Sequence, residues 1–215
     1  YHADRVAIWK RYYDTCQLKA AGSYVILEHF AADQEEIELS DYGMMLWGND
    51  TYNFGEASMG WINTSNFDRY LYSTRGWNKP HLVSYMESHD EERMMYKNLN
   101  FGNTVNSAHN VRDLPIALRR VELCAGFFLA APGPKMVWQF GEQGYDFSIN
   151  RCTDGTINNN CRLSNKPIRW DYLQEPNRKL LEEVTAGLLK LRAHPLFKNG
   201  FVTDRVERSL TGAFK

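Results

Sequence analysis

The 215-residue chain carries 25 basic against 26 acidic residues, a net charge of −1, so it has no electrostatic footprint for nucleic acid or an anionic membrane. Hydrophobic residues make up 43% and aromatics 13%, enough to fill the core of one sizeable domain and too much for a disordered chain. The longest apolar run, residues 123–134, is far shorter than a bilayer requires.

In chain order, residues 3–19 place Val6, Ile8, Trp9, Tyr12, Tyr13 and Cys16 at near-helical spacing, which predicts an amphipathic helix stopped by Gly22. In SYVILEHF, Ser23 to Phe30, the continuous run Tyr24-Val25-Ile26-Leu27 predicts a parallel strand covered on both faces. It ends on Glu28-His29. A carboxylate straight after four buried residues costs free energy unless it has a partner or a task; the plain alternative is a Glu that reaches solvent. Residues 33–41 read as an acidic connector, 43–49 as a short strand and 54–77 as a helix. The run 82–86 predicts another strand, after which Glu87, His89, Asp90, Glu91, Glu92 and Arg93 crowd into seven positions. That crowd is either a set of side chains delivered to a functional surface or a solvated first helical turn, which acids suit.

Residues 98–113 read as an Asn-rich loop. Residues 114–132 predict a strong helix with Pro115 near its start and Pro132-Gly133-Pro134 at its end. PKMVWQFGEQG, Pro134 to Gly144, is a fourth apolar run finishing on Gly141 and Glu142. The last helix, 177–194, sets Leu180, Leu181, Val184, Leu188 and Leu191 on one face. Residues 201–215 begin to alternate as if opening a strand of another domain. Of four cysteines, Cys16 and Cys124 read as buried apolar fillers. Cys152 and Cys161 bracket a polar loop, where either a disulfide or two free thiols fit. The disulfide suits a secreted or periplasmic protein, free thiols a cytoplasmic one. Neither spacing nor His partners favour zinc there.

Strands alternating with helices imply an α/β fold with a parallel sheet, either half of an eight-stranded barrel or a small doubly wound sheet. Glu28, Asp90 and Glu142 each follow a strand, and in a barrel such ends converge on one mouth. No Gly-rich phosphate fingerprint follows any strand, which excludes the usual nucleotide-binding signature.

Glycosidic bond cleavage needs two carboxylates facing each other across such a mouth. VILEHF with Glu28 resembles the fifth-strand acid motif of the α-amylase-type glycoside hydrolases. MESHDEE, with His89-Asp90, resembles that family's seventh-strand motif, and PKMVWQFGEQG its eighth-strand segment. KPIRWDY, Lys166 to Tyr172, and the helix ending in LRAHP are similar to the stretch where that barrel closes. The resemblance implies a (β/α)8 TIM barrel of which residues 1–197 hold the C-terminal half, about strands 5 to 8. Residues 198–215 would begin a C-terminal β domain or linker. It implies a retaining enzyme on starch- or glycogen-like α-glucans. The alternatives are a branching or transglycosylating enzyme, or a non-catalytic carbohydrate-binding relative.

Within that resemblance Glu28 is the general acid and base, Asp90 fixes sugar hydroxyls and stabilises the oxocarbenium-like transition state, and His89 hydrogen-bonds the same sugar. Phe30, Trp47 and Tyr145 would offer stacking faces, or else pack as ordinary core. Arg93 either orients Asp90 or pairs with Glu87 at the surface. The chain departs from the family in one respect: the Arg-x-Asp motif carrying the nucleophile is absent. The nucleophile and the family's calcium-binding region would lie upstream of Tyr1, as expected of a sequence that starts inside a longer protein. No metal or cofactor is expected within these residues. A half barrel leaves open strand edges, so self-association is expected, with no membrane or nucleic-acid partner.

Overall fold

Short apolar runs separated by helix-length segments pair most directly side by side and parallel, with helices carrying the chain back between strands. The computed structural model, which describes residues 1–200, has this arrangement. β1 (Ile26–Leu27), β2 (Met45–Asn49), β3 (Leu82–Tyr85) and β4 (Lys135–Met136) form one parallel sheet in the order β1-β2-β3-β4. α1 (His2–Lys19) precedes β1, and α2 (Asp33–Tyr42) and α3 (Thr51–Met59) flank β2. α4 (Met94–Phe101) and α5 (Leu114–Ala130) connect β3 to β4, and α6 (Pro176–Ala193) follows. The protein is α/β. Among the described residues no helix is long and apolar enough to cross a membrane.

β2 alternates in burial: Met44, Leu46 and Gly48 are buried, while Met45, Trp47 and Asn49 on the other face are more open. A Cβ at Gly48 would meet the Leu82 side chain of β3 at 2.8 Å, so a larger residue there would have to displace that leucine. Beneath the sheet Val6, Leu27, Leu39, Leu46, Trp77 and Leu82 form one core. Phe54, Met94, Met95, Leu118, Phe128 and Leu181 build a second between α3, α4, α5 and α6. Residues 114–130 and 176–193 are helical nearly as expected, Pro115 lying in the first turn of α5 and Pro176 in that of α6.

Several expectations are corrected. The acidic stretch 33–41 is a helix, α2, and its buried positions are Glu35, Glu36, Leu39 and Ser40. The acids tolerate burial because Arg5 donates to Glu35 through Nε at 2.9 Å and Arg75 pairs with Glu36. Arg5, His29 and burial act on Glu35 together, and the Arg5 hydrogen bond dominates, holding its pKa down at about 2. The helix expected over 54–77 stops at Gly60 (φ +86°), and the remainder is loop with two short 3-10 turns. Residues 98–101, read as loop, are the last turn of α4. The run 23–30 contributes only a two-residue edge strand that is covered on one face, with Tyr24 80% exposed. The run 134–144 pairs only through Lys135–Met136. Cys16 is exposed rather than buried; Cys124 is buried as expected. Most of the stretch assigned to a following domain or linker, residues 201–215, lies outside the described residues.

Asp50, directly after β2, is 2% exposed, and its Oδ2 has no hydrogen-bond partner. Burial raises its pKa to about 7. Because the folded value lies above the unfolded one, the stability this carboxyl contributes is complete below about pH 4 and gone above about pH 7. Asp50→Asn is therefore expected to raise unfolding stability by roughly 2–4 kcal/mol at pH 8, with the gain vanishing towards pH 4. Urea unfolding of both proteins across that range measures it; a gain that does not depend on pH removes the titration as its cause.

Candidate active site

Three strand ends supply the site. At the end of β1 the chain divides Glu28 from His29: His29 Nε2 lies 2.8 Å from Glu35 Oε1 and its ring meets Trp9 edge-on at 5.8 Å. With His29 tied inward, Glu28 faces solvent. At the end of β3, His89 and Asp90 also emerge exposed. One side-chain donor or acceptor atom from each of Glu28, His89 and Asp90 lies within 4.8 Å of the others. The sequence placed these groups after two different strands, and the sheet brings them to one mouth. His89 sits between two indoles, with ring centres 5.9 Å from Trp47 of β2 and 6.0 Å from Trp138 just beyond β4. Trp47 in turn packs edge-on against Tyr85 at 5.4 Å.

The other charges of residues 87–93 have fixed partners. Glu87 is buried and accepts from Arg93 Nε at 3.3 Å, Arg93 Nη2 at 3.1 Å and the Met94 amide at 2.6 Å. Arg93 Nη2 also donates to the Gln139 carbonyl at 2.6 Å, and its guanidinium lies 4.7 Å from the Tyr145 ring centre. Glu91 accepts from Asn49 and from Ser88, whose hydroxyl accepts the Asp90 amide at 3.1 Å. Glu92 accepts from Ser148 Oγ at 2.6 Å and the Ile149 amide at 2.8 Å. Only His89 and Asp90 are left presented to the mouth. Asp90 is met by Arg162, whose Nη2 donates to its carboxylate and, at 2.8 Å, to its carbonyl. Glu28 makes no hydrogen bond or ion pair among the described residues. Burial, then the charges of Glu91, Glu28 and Asp90, push the Tyr85 phenol well above its ordinary range.

Other expected residues fall differently. Arg93 does pair with Glu87, but inside the protein at 5% exposure and not at the surface. Tyr145 is 3% exposed, donates its hydroxyl to the Pro167 carbonyl at 2.7 Å and stacks on Phe140. It is a cleft wall, not an open stacking face. Phe30 is exposed and holds φ at +48°, a strained value for a bulky residue, two positions after Glu28. Glu142 does not join the mouth. The chain turns at Phe140 (φ +58°) into a 3-10 turn that carries Glu142 into a cavity beside Glu87, Leu181 and Thr185, where burial raises its pKa.

From His89 an open cleft of about 230 Å³ runs past Ser88, Trp138, Tyr145, Arg162 and Leu163. Its far wall is the loop closed by a disulfide between Cys152 and Cys161, Cα atoms 5.0 Å apart. Trp138 and Arg162 escaped sequence reading. Trp138 is one aromatic within an apolar run, and Arg162 reaches Asp90 only because the loop folds back. A cation at Glu28, His89 and Asp90 fits poorly: only two oxygen donors and one imidazole converge, and the Arg162 guanidinium already occupies the Asp90 carboxylate.

No family model matches this chain. No curated protein matches it either.

Removing one member of a buried ion pair leaves the other charge uncompensated. Arg93→Met is expected to cost about 3–5 kcal/mol of stability, and adding Glu87→Gln should restore much of it. Urea unfolding of the single and double variants decides; a double variant no more stable than Arg93→Met would rule out pairing as the reason.

Proposed function

We propose that this chain supplies the acid/base side of a retaining site for α-glucosidic bonds, acting on starch- or glycogen-like glucans, on half of a (β/α)8 barrel of the α-amylase type. The observation that carries the reading is the convergence of Glu28, His89 and Asp90, from the ends of strands β1 and β3, within 4.8 Å of one another beside two half-buried indoles. Sugar rings are recognised by such a combination, with apolar faces for the ring and carboxylates for its hydroxyls. Glu28 would give its proton to the glycosidic oxygen as the bond to the anomeric carbon breaks, then take a proton from the water that releases the sugar. Asp90 would hold hydroxyls of the same sugar and offset the positive charge developing at its anomeric carbon, while His89 donates to a hydroxyl. Among the described residues no further acid joins this group, so the attacking carboxylate is assigned to residues outside it.

The sheet order supports the half barrel, since β1 to β4 follow one another without the reversal of a doubly wound sheet. Both edges carry exposed apolar side chains, Tyr24 and Ile26 at β1 and Val137, Ile168 and Trp170 beyond β4. A closed barrel would cover them. The disulfide supports an oxidising compartment, secreted or periplasmic.

The 215-residue chain is expected to bind maltohexaose, seen as quenching of tryptophan fluorescence, and to release no reducing ends from starch. Asp90→Asn and Trp138→Ala should each weaken binding about tenfold, a contact worth about 1.4 kcal/mol. Absence of binding would sink the reading, and cleavage by this chain alone would move the nucleophile into it. On sedimentation the chain is expected to associate as its concentration rises; a strict monomer at high concentration contradicts the open edges.

A further inference from the structure

Arg162 pairs with a residue 72 positions earlier in the chain, and both side chains are close to half exposed. An exposed ion pair shifts its own equilibrium by no more than about fivefold. The contact therefore needs something else to hold Arg162 in place, and the surrounding loop supplies it. The loop leaves the body at Ser148 and Ile149, both bound to Glu92, two residues beyond Asp90. It turns back through Cys152 N to Thr156 O at 2.7 Å, an antiparallel bridge between Arg151 and Ile157, and Asn158 N to Asn150 O at 2.9 Å. The Cys152–Cys161 disulfide then closes the turn immediately before Arg162. On the other side Lys166 Nζ donates to the carbonyls of Cys161 at 2.9 Å and Ser164 at 2.7 Å. The residue that reaches the site is thus flanked by a covalent clasp and a lysine that gathers the carbonyls around it.

We propose that Arg162 is a positioning residue for Asp90, and that the Cys152–Cys161 clasp determines glucan affinity by holding Arg162 there. The proposal rests on the reading of Glu28, His89 and Asp90 as a sugar site. Arg162 would act through Asp90: one guanidinium nitrogen bridges its carboxylate and its carbonyl, leaving the second carboxylate oxygen for a sugar hydroxyl. The loop also carries Leu163, 93% exposed, on the wall of the same cleft, so opening the clasp would displace cleft wall and Asp90 partner together.

The test is a coupling cycle on the whole chain with maltohexaose as probe. Arg162→Met and the pair Cys152→Ser/Cys161→Ser are each expected to weaken binding about tenfold. Their combination should lose little more than either, because the clasp works through Arg162. Arg162→Lys should recover part of the loss. Full additivity, or unchanged binding by Arg162→Met, overturns the proposal. The carboxyl carbon resonance of Asp90 gives a readout without sugar: it should shift alike in Arg162→Met and in the serine pair, and a resonance that shifts in Arg162→Met but not in the serine pair would show that the clasp does not hold Arg162. If the unmodified chain binds no maltohexaose, the sugar reading fails. The clasp then stands on a shifted Asp90 resonance in the serine pair and falls on an unchanged one.

Discussion

The buried pair between Glu87 and Arg93 is the interaction on which the mouth depends. Its two groups close a five-residue excursion at the end of β3, and its remaining bonds tie that excursion to the first amide of α4 and to the Gln139 carbonyl beyond β4. Buried pairs of this kind seldom add stability over apolar residues of the same size. What this one supplies is a single path for the chain. With residues 87 and 93 fixed, Glu91 is held at Asn49 of β2 and Glu92 at Ser148, so the turn is anchored on both sides as well as at its base. The two residues left over, His89 and Asp90, then have one direction to point.

The same division operates at β1 on a smaller scale. Glu28 and His29 are adjacent, polar and alike in sequence terms, yet one joins α2 and the other the mouth. Glu35 decides it by accepting His29 as well as Arg5. That α2 is a helix at all was illegible in its sequence, because two of its four buried positions are acids and their cations arrive from elsewhere. Arg5 comes from α1, and Arg69 and Arg75 come from the loop after α3. Periodicity reading looks for apolar residues on one face, and here ion pairs replace them. Where burial is apolar, as in α5 and α6, the pattern and the proline at the start were sufficient.

For the candidate site, polar residues placed immediately after apolar runs were the readable signal, and Glu28, His89 and Asp90 carried it. The signal misled at Glu142, where the chain turns at a left-handed Phe140 and Glu142 lines a cavity beside Glu87 instead of the mouth. It could say nothing of Trp138 or Arg162, whose roles come from contacts across 49 and 72 positions with His89 and Asp90. The Cys152–Cys161 closure was visible as a bracketed polar loop. Its consequence, an arginine delivered to an acid in a different part of the sheet, was not.

The two carboxylates at the mouth differ in a way that bears on their proposed roles. Asp90 is held at both its carboxylate and its carbonyl by a permanent cation, while Glu28 has no partner among the described residues. A group that gives up and regains a proton within one reaction cycle cannot stay locked to a fixed guanidinium, because the bond would oppose half of the cycle. A group that offers constant negative charge to a developing cation is served by such a lock, provided one oxygen remains free. Exchange of the two roles would leave the anchored acid with the mobile proton and the unanchored acid with the static charge. Under the proposed function the asymmetry therefore suits Glu28 as the proton carrier and Asp90 as the fixed charge.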